Sequence, residues 1–97
     1  MSLIEDHVRD FNHGVDTGDW AAMLARFADG AELHFVGPPV GPFVGRDAIA
    51  AAYADLPPDD RIVLLDGERF AWERGGGGRL VLEHDGATIT RLTVIFD

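Results

Sequence analysis

Between Ala31 and Tyr53 the chain reads AELHFVGPPVGPFVGRDAIAAAY, an order of residues that few folds accommodate. Ala31–Val36 has the apolar character of a short strand. Gly37, Pro38, Pro39, Gly41 and Pro42 then break it, because proline fixes φ and removes a ladder donor while glycine permits tight reversals. Phe43-Val44 returns as a brief edge strand, and Gly45 releases the chain into a helix. Ala48, Ile49, Ala52, Tyr53 and Leu56 share one face of that helix at a 3.6-residue period, and Pro57-Pro58 stops it. A strand, a reversal and a helix laid back over a sheet make the mouth and one wall of a pocket.

Upstream, Ile4, Val8, Phe11 and Val15 mark the apolar stripe of a first helix. Ser2-x-x-Glu5 reads as its capping box, and Gly18 follows its end. Asp19 is placed to cap a second, short helix, in which Trp20, Met23, Leu24 and Phe27 recur at helical spacing before Gly30. These aromatics read as core. Downstream the period changes to two. Arg61–Leu65 and Glu68–Glu73 flank Asp66-Gly67, a two-residue hairpin signal that sets Val63 and Leu65 on one face with Phe70 and Trp72. Gly75–Gly78 reads as a loop, but not a phosphate loop, since neither Lys nor Ser/Thr follows and no helix begins there. Arg79–Glu83 and Ala87–Phe96 form a last hairpin around His84-Asp85-Gly86, pairing Leu82 with Thr88 and Leu80 with Thr90. That register turns Leu80, Leu82, Leu92, Val94 and Phe96 inward and Val81, Ile89, Thr93 and Ile95 outward. The whole is an α+β plan over residues 1–97, one domain with three helices packed on a curved antiparallel sheet.

Composition excludes much of the available chemistry. There is no Cys, which removes disulfides, thiolate metal sites and Cys nucleophiles together. Without Lys there is no Schiff base, and Ser2 is the only serine. A net charge of −9 repels a phosphate backbone and an anionic bilayer, so neither nucleic acid nor membrane is an expected partner. With no apolar run near a membrane span and no visible signal peptide, the expected location is cytoplasmic. His34 alternates with Leu33 and Phe35 and reads as outward-facing. His84-Asp85 sits at a turn, and His7 and His13 lie on or near the first helix without a partner at i+4. No metal-ligand spacing appears, and neither metal nor cofactor is expected. Asp16 and Asp19 fit a helix junction.

VDTGDWAAMLARFADGAELHFVG followed by FVGRDAIAAAYAD resembles the first half of the nuclear transport factor 2-like superfamily, in the pattern of its ketosteroid isomerases and SnoaL-like cyclases. The signals are Val-Asp-x-Gly-Asp at 15–19, Phe-Ala-Asp at 27–29 and Gly-x-x-Ala-Ile at 45–49. The resemblance implies a cystatin-like cone, a curved sheet wrapped on three helices around an apolar cavity, often dimeric. Between Leu56 and Asp97 the chain is short for that family, which implies a trimmed sheet or a shallower cavity. The resemblance also implies positions for an isomerase: a strand aspartate that moves the proton, and a helix tyrosine and a late protonated aspartic acid that hold the enolate oxygen. These fall here on Phe35 or Val36, on Phe11, and near Gly77–Arg79. Only Tyr53 matches a family tyrosine, one that supports the oxyanion tyrosine in some isomerases. A missing base forfeits about 10²–10⁴ in rate and a missing oxyanion donor about 10²–10³, so steroid isomerisation by the family route is not expected.

Two functional readings follow. One is a small-molecule pocket lined by Phe11, Phe35, Tyr53, Trp72 and Phe96, binding an apolar ligand, with turnover only through a different acid or base. The other is a non-catalytic interaction module with a filled cavity. In both, the outward residues Val81, Ile89, Thr93 and Ile95 offer a homodimer face.

Overall fold

The computed structural model describes residues 2–97. Helix α1 spans Leu3–Thr17, opened by the Ser2/Glu5 capping box and closed by Gly18 in the left-handed conformation at φ 79°. Helix α2 is a single turn, Ala21–Leu24. The Asp19 carboxylate accepts from the Ala21 N–H at its start, at 3.0 Å. Helix α3 spans Arg46–Asp55 and is entered from Gly45 at φ 94°.

The strands are β1 (Phe27–Val36), β2 (Phe43–Val44), β3 (Ile62–Asp66), β4 (Arg69–Trp72), β5 (Gly77–Asp85) and β6 (Thr88–Phe96). They form one six-stranded sheet in the order β2-β1-β6-β5-β4-β3. Every pairing is antiparallel except β1 with β6, a parallel pair whose long crossover holds β2, α3, β3, β4 and β5. The trimming shows in β3 and β4, which have 5 and 4 residues against 9 or 10 in β1, β5 and β6.

Strand pairing corrects several expectations from the sequence. Phe27 belongs to β1 rather than to α2, because the sheet claims its backbone: Phe27 pairs with Ile89, and the Ile89 N–H donates to the Arg26 carbonyl at 2.8 Å. In the first hairpin Asp66 pairs with Arg69 and Leu64 with Phe70, so Gly67-Glu68 makes the turn and Leu65 is an extra, bulged residue. Ile62 and Leu64, not Val63 and Leu65, therefore share a face with Phe70 and Trp72, and Val63 and Leu65 are exposed. In the last hairpin Leu82 pairs with Leu92 and Leu80 with Val94, two residues longer on the β5 side than Glu83. A bulge at Thr90 breaks the alternation, which turns Ile89 inward to complete burial and removes it from the outer face. Val81, Thr93 and Ile95 remain there, half-buried.

Gly77 and Gly78 are strand rather than loop. A side chain at Gly78 would place its Cβ 1.9 Å from the Ile95 carbonyl oxygen, so only glycine lets β5 lie this close to β6. Gly14 plays the same part between helices, since a Cβ there would sit 2.1 Å from the Trp20 ring. Leu56 leaves the buried face of α3. It is the C-cap at φ −134°, held extended by the proline that follows, and is 82% exposed. Finally, Asn12 bridges α1 to the sheet edge, donating to the Ile62 carbonyl at 2.9 Å and accepting from the Ile62 N–H at 2.8 Å.

Candidate functional site

The helices do not fill the concave face of the sheet. A cavity of about 330 Å³ remains, bordered by α1, α3 and all six strands. Its deep wall includes the buried residues His7, Phe11, Leu33, Tyr53 and Leu80. Its rim carries the exposed residues Val40, Asp55 and Leu56, from the segments before and after α3. Phe11, Phe35, Tyr53, Trp72 and Phe96, the five residues expected from the sequence, all border this one space. Their rings, with those of Trp20 and Phe43, form a continuous aromatic chain. Tyr53 meets Trp20 at 4.9 Å between centroids, Trp20 meets Phe11 at 5.7 Å, and Phe11 meets Trp72 at 6.2 Å. Trp72 stacks on Phe96 at 6.2 Å, and Phe35 lies between Phe96 and Phe43 at 6.3 Å from each. A wider groove of about 720 Å³ near the start of α1 opens to solvent past Glu5, Asp66 and Glu68, and lacks this enclosure.

Two polar side chains lie deep in the wall. Burial raises the Tyr53 phenol well above its usual pKa, so it stays a neutral O–H. His7 was legible only as a helix histidine. Its place on the apolar stripe, three residues after Ile4 and four before Phe11, was the available signal. The ring is 1% exposed and stands edge-on to Phe27 at 6.0 Å. Burial pushes its pKa down to about 4, opposed by the Asp10 carboxylate and reinforced by the Arg26 guanidinium. Its Nδ1 is the one enclosed side-chain nitrogen or oxygen without a hydrogen-bond partner among the described residues. Such a group costs about 1–3 kcal/mol.

The isomerase positions offer no proton-transferring side chain to this space. Phe35 lines the cavity while Val36 is 50% exposed; Phe11 is apolar; and Gly78, on the face of Leu80, has no side chain. His34 lies off the cavity, bonded to the Glu32 carboxylate at 2.7 Å, and that contact leads the lowering of the Glu32 pKa, with Arg91 adding to it. His84, exposed near the end of β5, has its Nδ1 2.8 Å from the carbonyl of Gly86 in the turn that follows, and Asp16 pairs with Arg61. Among the described residues no cluster of three or more His, Cys, Asp or Glu is arranged to hold a metal ion, and no helix is long and apolar enough to cross a membrane.

A coiled six-stranded sheet, three helices and an aromatic hollow between them define a nuclear transport factor 2-like protein. Residues 8–90 match the family model of the SnoaL-like domain, and the chain belongs to that family. No curated protein matches the chain. Among solved structures, the Δ5-3-ketosteroid isomerase from Mycobacterium sp. is 20% identical with a TM-score of 0.67, covering 100% of this chain and 95% of the isomerase. A Mycobacterium tuberculosis protein in complex with estradiol-17β-hemisuccinate is 14% identical with a TM-score of 0.68, over 100% and 95% of the two chains. An NTF2-like protein of unknown function from Burkholderia pseudomallei is 18% identical with a TM-score of 0.69, over 100% and 92%. At these identities the likeness is one of fold.

Proposed function

We propose that the chain binds a small, largely apolar molecule in the aromatic cavity, with residues 1–97 acting as one unit and Phe11, Phe35, Tyr53, Trp72 and Phe96 as contacts. The observation that carries this reading is the space itself, about 330 Å³ behind an aromatic and aliphatic wall. Protein interiors hold few voids larger than a water molecule, and a chain selected only to fold would close this one. Small-molecule sites run from about 300 to 1,000 Å³ with a few placed polar groups, and the cavity falls at the small end of that range. The steroid-type ligand carried by the Mycobacterium tuberculosis relative supports the same class. Because the isomerase positions hold Phe11, Phe35 and Gly78, the reading is one of binding rather than isomerisation.

A melting-temperature screen across steroids, polyketides and terpenoids tests it. A ligand at a hundred times its Kd adds about 2.7 kcal/mol of stability, several degrees for a domain of this size. A flat profile across all three classes overturns the reading. Self-association through Val81, Thr93 and Ile95 belongs to the same proposal.

A further inference from the structure

Resting on the ligand-binding reading of the cavity, we propose that His7 is the polar anchor of the site, holding an uncharged, mostly apolar ligand by one oxygen function, a hydroxyl or a ketone. His7 borders the cavity from α1, one helical turn before Phe11, and is 1% exposed. Its Nδ1 has no protein partner, and the two charged groups that act on the ring, Asp10 and Arg26, are bonded to each other. A buried imidazole with an unused nitrogen weakens the fold that contains it, and Leu at the same position would fit the stripe from Ile4 to Val15 without that cost. What such a ring offers is one N–H donor and one lone pair, a match for a single ketone or hydroxyl oxygen.

The surroundings argue against a charged ligand. Arg26, the cation that acts on His7, is taken up by Asp10 and by Asp6, the latter at 3.8 Å. The remaining deep wall is hydrocarbon, apart from the Tyr53 hydroxyl, and an ion there would lack a counter-charge.

Naphthalene, 2-naphthol and 2-tetralone share one bicyclic frame and separate these contributions in an NMR titration of the full chain. The expected result is that an oxygenated member binds about tenfold more tightly than naphthalene, the worth of one well-made hydrogen bond. Its addition should move the His7 imidazole ¹⁵N resonances, while naphthalene leaves them in place. Preference for 2-naphthol assigns the ring as acceptor, and preference for 2-tetralone assigns it as donor. His7→Leu should abolish the preference and keep naphthalene affinity, and His7→Gln should restore part of it. The wild-type resonances and the Gln variant decide the matter even where the Leu variant folds poorly. Equal binding of all three by the wild type, or a preference that survives His7→Leu, overturns the anchor and leaves the cavity reading intact. Failure of all three to bind removes the cavity reading, and the anchor with it.

Discussion

Tyr53 and His7 sit on different helices, but each is a polar group inside an otherwise hydrocarbon wall, and substitution separates what each contributes. Tyr53→Phe removes only an oxygen from a ring that Trp20 already holds at 4.9 Å. The expected outcome is an unchanged apo melting temperature with weaker binding of an oxygenated ligand. A fall in apo stability of about 1 kcal/mol or more, with binding unaffected, would make the hydroxyl a structural group. His7 makes a prediction about pH. Its folded-state pKa of about 4 lies below the ordinary histidine value of about 6.5, so between these limits the unfolded chain binds the proton and the folded chain does not. Stability is therefore fully present above about pH 6.5 and is lost as pH falls towards 4, by about 3 kcal/mol in all. Asp10, on the same helix, works against the shift and Arg26, before β1, works with it. Urea midpoints measured across this window should slope for the wild type and flatten for His7→Leu; equal slopes would refute the assignment.

At the scale of elements, helices were easier to read than register. The capping box, Gly18, the α1 stripe and the break at Gly37–Pro42 are local signals, and each was legible because its physics is contained within a few residues. The two bulges were not. Leu65 and Thr90 each shift the alternation by one, and nothing in a period-two pattern marks which residue a strand will leave unpaired. Hence Val63 faces out and Ile89 faces in, against the simple alternation, while Phe35, Trp72 and Phe96, away from the bulges, border the cavity. His7 was missed because a polar residue on an apolar stripe reads as an interruption until the space beside it is known. The Asn12 bridge was equally hidden, fifty positions from its partner. It satisfies both backbone groups of Ile62 at the free edge of β3, where another chain would otherwise pair. Asn12→Ala should therefore destabilise by about 1–3 kcal/mol in chemical denaturation. It should also speed hydrogen exchange at Ile62, and unchanged exchange there would show that the bridge does not protect the edge.

For the molecule as a whole, charge and shape act in opposite directions. A net charge of −9 on 97 residues keeps copies apart, while Val81, Thr93 and Ile95 leave an apolar strip half-covered on the outer face of β5 and β6. Without Ile89 that strip is narrower than the sequence suggested. Sedimentation at micromolar concentration should show a dimer that strengthens from low to moderate salt, as screening shortens the range of the repulsion. A monomer at every salt concentration would remove this interface.

The parallel pairing of β1 with β6 also imposes an order in time. Leu33 lies against Leu92 and Phe35 against Val94, so a strand formed early along the chain finds its long neighbour only after α3 and four other strands have been traversed. On its other side β1 has the two residues of β2 and nothing more. Until Thr88–Phe96 arrives, the apolar face of Phe27–Val36 has a helix to lean on but almost no ladder to join. Loop closure across most of the chain must therefore come before the reward, the pattern of a slow folder rather than a fast one. A nascent or truncated chain that stops short of Thr88 would present β1 as an open, sticky edge. The hollow between helices and sheet exists only once its most distant strands have met.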